Sequence, residues 1–136
     1  MNPILIHPGF HKTGTTFLQD CVFSDGRFFN FLFSHEEIQK LFAGPHDFYF
    51  DQNQAASMLE RARARNTGDV VDVISSEILS GTIFDGSRDC VRLADRLART
   101  CGEAKILLTV RAQPAIMKSI YLQYLKRGGR KSLDRF

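Results

Sequence analysis

Three short apolar runs, "ILIH" from Ile4, "VVDVIS" from Val70 and "KILLTV" from Lys105, are each followed by a segment whose apolar residues recur at helical spacing. Such runs are too brief for helices, and their near-continuous apolar character suits strands buried on both faces of a parallel sheet. Parallel strands need long crossovers, and amphipathic helices provide them while covering the sheet. The alternation therefore predicts an α/β fold in three layers, a parallel sheet flanked by helices. With 136 residues, 43% of them hydrophobic, the chain is long enough for one core and too short for two independent domains. Residues 1–136 read as a single domain.

The helical segments carry their own signals. Helical character begins near Gly14 and puts Phe17, Leu18 and Cys21 on neighbouring faces. In "SHEEIQKLF", Ser34 and Glu37 form a capping box ahead of an Ile38, Leu41 and Phe42 stripe. Gly44 and Pro45 end that helix, and "DFYF" after them reads as an edge strand or an extended connection. Asn53 to Arg65 is amphipathic, with Ala55, Met58, Leu59 and Ala62 on one face. "DGSRDCVRLADRLARTCG" reads as a helix opened near Asp85 or Ser87 and closed by Gly102, with Cys90, Leu93, Ala94, Leu97 and Cys101 as its buried stripe. The last helix takes Pro114 in its first turn, where a missing N–H costs no intrahelical bond, and runs to Gly128 and Gly129. Neither alternation nor helical periodicity fits "FFNFLF", and the Phe-rich pieces at 28–33 and 48–50 read as core.

Between the first strand and its helix lies "HPGFHKTGTT". A turn with Gly9 and Gly14, leading into a helix, aims backbone N–H groups and the positive end of a helix dipole at one point. Lys12 adds a mobile charge, and Thr15 and Thr16 add hydroxyl donors, so a phosphate-like anion is the expected ligand. A Walker A loop would place Lys directly after its second Gly, whereas Lys12 precedes Gly14, the wrong order for an ordinary nucleoside-triphosphate loop.

"GFHKTGTTFLQ" instead resembles the 5′-phosphosulfate-binding loop of sulfotransferases that use 3′-phosphoadenosine 5′-phosphosulfate (PAPS). In that family a Lys followed by [ST]-G-[ST]-[ST] holds the 5′ end of the cofactor, and Lys12, Thr13, Gly14, Thr15 and Thr16 match position by position. "KILLTVRAQPAIMKSIYLQYLKRGG" resembles the family's 3′-phosphate-binding segment, with Arg111 at a strand end and Ser119 in the following helix as the matching residues. The planar guanidinium and the hydroxyl are suited to that phosphate. The resemblance implies a P-loop NTPase-like core and transfer of a sulfuryl group from PAPS to a hydroxyl or amine of a carbohydrate or small molecule. Separately, none of the histidines sits in a metal-ligand pattern with a second His or Cys, so no metal is expected. The resemblance runs from Ile4 to about Leu133, the first part of a family domain, and so implies an incomplete C-terminus lacking the basic Gly-containing segment that closes over the nucleotide.

Glu77, after the buried strand in "VVDVISSEILSG", looks like the candidate base that takes the acceptor's proton; a cap or a partner for Arg is the alternative. His11, inside the loop, is a second candidate base or a cofactor contact. His7 ends the first strand, while His35 and His46 read as surface or capping residues. A lysine in solvent, an Arg111 ion pair and a solvated Ser119 are the plain alternatives for the motif residues. Two other functions use much of the same sequence: a P-loop-type small-molecule kinase, and a noncatalytic nucleotide-binding fragment that self-associates into a homo-oligomer through exposed apolar surface.

The formal charge of +3 is spread along the chain, which gives nucleic-acid binding little support. No apolar run approaches the roughly 18 residues of a membrane span, and the N-terminus has no basic segment leading into an apolar stretch. Cys21, Cys90 and Cys101 form no CxxC pair, so reduced, buried thiols and a cytoplasmic location are expected.

Overall fold

A computed structural model describes residues 3–65, 68–82 and 87–136. Four strands, β1 (Ile4–His7), β2 (Phe29–Phe31), β3 (Val71–Ser75) and β4 (Ala104–Ile106), form one all-parallel sheet in the order β2-β3-β1-β4. β1 lies centrally, pairing Leu5 with Val73 and His7 with Ser75 on one side, and Ile4 with Ala104 on the other. The helices are α1 (Thr15–Leu18), which continues as a π-helical turn over Gln19–Phe23, α2 (His35–Ile38), likewise extended over Gln39–Ala43, α3 (Gln52–Arg63), α4 (Cys90–Cys101) and α5 (Gln113–Lys126).

The two-residue side-chain period of the strands sorts the core into two sides. Ile4 and Ile6 of β1 and Ile74 of β3 join Ala55, Leu59, Leu93 and Leu97 of α3 and α4 in one buried cluster. His7 faces the opposite side, where its ring meets the edge of Phe23, which in turn meets Phe29. The capping box at α2 forms as expected, with Ser34 accepting from the Glu37 amide and the Glu37 carboxylate accepting from the Ser34 amide. α3 starts at Gln52 because the Asp51 side chain accepts from the Gln54 amide.

Several expectations are corrected. "FFNFLF" contains β2, and Leu32 and Phe33 behind it are buried, whereas Phe28 is exposed. Asp47–Tyr49 is a 3₁₀ turn rather than an edge strand or extended connection, and Phe48 and Tyr49 are exposed rather than core, the turn pairing with none of the four strands. Phe50 alone of the three packs on the core. Cys21 is exposed, while Cys90 and Cys101 are half-buried. The α4 stripe includes Arg96, which is 3% exposed. Its guanidinium donates to the Phe42 carbonyl and to Asp47 at 2.7 Å, and lies 4.5 Å from the centre of the Phe50 ring. Asp85 lies outside the described residues, and Ser87 precedes α4 with its amide donating to the Thr82 carbonyl.

The last predicted strand is shorter than 105–110. β4 ends at Ile106, and Ile106, Leu107, Leu108 and Val110 are exposed. An edge strand has one neighbour, so only β1 supports it, and the Leu107 amide makes the last ladder bond to the Ile6 carbonyl. α5 follows without burying any residue. Among the described residues, no helix is long and apolar enough to cross a membrane.

Candidate anion-binding site

Strand order places the loops after β1 and β3 side by side. The chain leaves β1 toward the β2 edge and leaves β3 toward the β4 edge, so the two connections run in opposite directions over opposite faces of the sheet, the segment after α1 packing on His7 and α4 on Ile4 and Ile6. A crevice at such a point, beyond the carboxyl ends of the strands, is where open parallel sheets bind ligands. Here it is a cavity of about 270 Å³ lined by His11, Lys12, Gly14, Thr15, Thr16, Glu77 and Gln123.

The loop is held in an unusual backbone path. Gly9, Lys12 and Gly14 all have positive φ, at 47°, 67° and 88°. Lys12 in this conformation carries a cost that a surface lysine ordinarily avoids. Gly14 precedes the first helical residue, and its carbonyl accepts from the Leu18 amide at 3.2 Å. The amides of the first helical turn have no partner within the helix and, with the positive end of the dipole, favour an anion.

Thr15 is the buried polar residue of the loop. It is 5% exposed, yet its hydroxyl has no hydrogen-bond partner. A buried hydroxyl left unmatched is costly, and this one packs against Gly9 beside the His7 ring, at the base of the loop. Gly9 makes room for that oxygen, since a Cβ at Gly9 would stand 2.5 Å from Thr15 Oγ1.

Glu77 opens a 3₁₀ turn after β3 and brings its half-buried carboxylate to the same cavity. A carboxylate repels an anionic ligand, so its chemistry suits proton acceptance rather than anion binding. His11 is oriented from across the crevice: its Nε2 lies 3.0 Å from the Gly81 carbonyl. A carbonyl only accepts, so Nε2 carries the hydrogen and, in the neutral ring, Nδ1 remains basic.

The second motif is joined to the first through Arg111, whose guanidinium donates to the Lys12 carbonyl at 3.3 Å. Ser119 does not line the cavity. Gln123, one helical turn further along α5, does, and it was not singled out from the sequence. Thr13 also differs from its neighbours: its hydroxyl donates to the Phe10 carbonyl and meets the Thr109 hydroxyl at 2.9 Å. It therefore braces the loop instead of facing the ligand space. Of the sequence-predicted residues, His11, Lys12, Gly14, Thr15, Thr16 and Glu77 converge on one cavity. Comparison with protein-family models, with curated proteins and with solved structures found no match.

Proposed function

We propose that this chain binds the phosphosulfate end of PAPS in the Lys12 to Thr16 loop and is a sulfotransferase acting on an acceptor hydroxyl or amine, on a P-loop NTPase-like core. The carrying observation is the convergence of His11, Lys12, Gly14, Thr15, Thr16 and Glu77 on one cavity beyond the ends of β1 and β3. The cavity's volume suits an oxyanion group rather than a whole nucleotide. Arg111, tied to the loop backbone, is the residue for the 3′-phosphate that distinguishes PAPS from ATP, with Ser119 as the second donor from α5.

PAPS supplies the transferable sulfuryl group when bound. Lys12, the first-turn amides and the Thr15 and Thr16 hydroxyls hold negative charge at the leaving oxygen, which is where positioned donors contribute most to group transfer of this kind. Glu77 takes the acceptor proton, and His11, oriented by Gly81, is the alternative base. The acceptor is a carbohydrate or small molecule.

Calorimetric titration with adenosine 3′,5′-bisphosphate against adenosine 5′-phosphate tests the reading. Preference for the bisphosphate, reduced by Arg111→Ala and Lys12→Ala in folded protein, is the expected result. Tighter binding of ATP with Mg²⁺ would instead favour a small-molecule kinase. Failure of the folded chain to bind any of these nucleotides would overturn both.

A further inference from the structure

His7 is fully buried at the end of β1, directly beneath the loop, and both ring nitrogens are engaged. Nδ1 lies 2.8 Å from Ser75 Oγ of β3, and Nε2 lies 3.1 Å from Thr109 Oγ1, in the segment after β4. Thr109 Oγ1 is 2.9 Å from Thr13 Oγ1, and Thr13 donates to the Phe10 carbonyl. At the other end Gln19 Nε2 donates to the Ser75 hydroxyl at 3.3 Å and to the Ser75 carbonyl at 3.1 Å.

Hydrogen counting gives this chain a direction. Thr13 has one hydroxyl hydrogen and spends it on Phe10, so Thr109 donates to Thr13. Thr109 Oγ1 then accepts from His7 Nε2–H. A neutral ring with its hydrogen on Nε2 must accept at Nδ1, and Ser75 donates there while accepting from Gln19. Every member is satisfied in one sense only: Gln19 to Ser75 to His7 to Thr109 to Thr13 to Phe10.

We infer that His7 is the positioning residue of the anion loop, holding Thr13 through Thr109 by a one-way hydrogen-bond relay that requires the neutral Nε2–H tautomer. The role rests on the loop being the ligand site, because only then does its geometry bear on binding. A proton added to Nδ1 would confront the Ser75 hydroxyl hydrogen and force it to turn, leaving Ser75 to accept from both His7 and Gln19. The groups facing the ring are Ser75, Thr109, Phe23 and Gly9, and the charged group acting on it is Glu77, whose carboxylate favours protonation while burial opposes it more strongly.

The test is amide hydrogen exchange on the intact chain, with ¹⁵N imidazole shifts to read the tautomer. In Thr109→Val, the Lys12 to Thr15 amides should exchange roughly five- to tenfold faster, the loss expected for one net hydrogen bond, while the Ile74 amide in β3 is unchanged. His7→Gln keeps a donor toward Thr109 and should exchange more slowly in the loop than His7→Leu. In the wild type, loop exchange corrected for its intrinsic pH dependence should rise as the imidazole titrates, and this step should be absent in Thr109→Val. An Nδ1–H tautomer at neutral pH, or equal loop exchange in Thr109→Val and wild type, would overturn the inference. Binding of adenosine 3′,5′-bisphosphate is read alongside: a wild type that does not bind it refutes the functional reading, while the exchange data still decide the relay.

Discussion

Replacing Gly9 by Ala examines the cradle around the Thr15 hydroxyl most directly. The added Cβ would stand 2.5 Å from Thr15 Oγ1 and 3.1 Å and 3.2 Å from His7 Cε1 and Nε2. Neither neighbour gives way cheaply. Thr15 has a single stiff side-chain torsion and is buried, and the His7 ring is held at both nitrogens. The φ of +47° adds the cost of a left-handed conformation for a residue with a Cβ, about 1–2 kcal/mol. Overpacking adds about 1–3 kcal/mol more, for a total of about 2–5 kcal/mol. Gly14→Ala is the internal control, because Gly14 has φ +88° but open space where its Cβ would go. It should lose only the backbone share, about 1–2 kcal/mol. Urea unfolding of both variants gives the difference, and titration with adenosine 3′,5′-bisphosphate should show the larger affinity loss in Gly9→Ala, since relief of the clash displaces Thr15 and the loop residues that line the cavity. Equal destabilisation of the two variants, or undiminished binding by Gly9→Ala, would refute the cradle.

Three further outcomes are expected. Arg96→Ala should lose about 2–4 kcal/mol in urea unfolding, because it strips the Phe42 carbonyl of its buried donor and empties the space over Phe50, while Asp47→Asn should cost under about 1 kcal/mol, the Asp47 side chain being 69% exposed; similar losses would show that the ion pair, not the burial, matters. Burial pushes the Cys101 thiol up to about 11, so at pH 8 only about one in a thousand is thiolate; a maleimide should label exposed Cys21 long before Cys101, and mass spectrometry of the labelled peptides checks the order. Burial also holds the His7 pKa below its ordinary 6.5, so below that pH the unfolded chain takes up a proton that the folded chain refuses. His7 therefore contributes stability that is intact above 6.5 and is lost as pH falls toward the folded value, and unfolding at stepped pH should show this slope in the wild type and not in His7→Gln.

The first loop was legible because its chemistry is local. Gly9, Lys12, Gly14, Thr15 and Thr16 are close neighbours in the chain, and positive φ at Gly9 and Gly14 follows from their lack of a Cβ. The capping box of α2 and the stripe of α3 were equally readable, since helical spacing is a short-range signal, whereas of the five residues expected to be buried in α4 only Leu93 and Leu97 are, and Ala94 is exposed. "KILLTV" misled beyond Ile106 because strand propensity says nothing about how many neighbours a strand will have. Arg96 reads as a polar interruption of an apolar face, and only its reach to Phe42 and Asp47 explains its burial.

The sequence by itself determined the alternation of strands and helices and the clustering of Gly9, Lys12, Gly14, Thr15 and Thr16 in one loop, both of which depend on residues a few positions apart. Tertiary structure decided the sheet order, and with it the meeting of Glu77 and Gln123 with that loop and the use of His7, Ser75 and Thr109 as its support. Those partners are separated by 68 and 102 positions from His7, and the pairing of parallel strands, directly for Ser75 and through the segment that follows β4 for Thr109, brings such distant residues within reach of one ring.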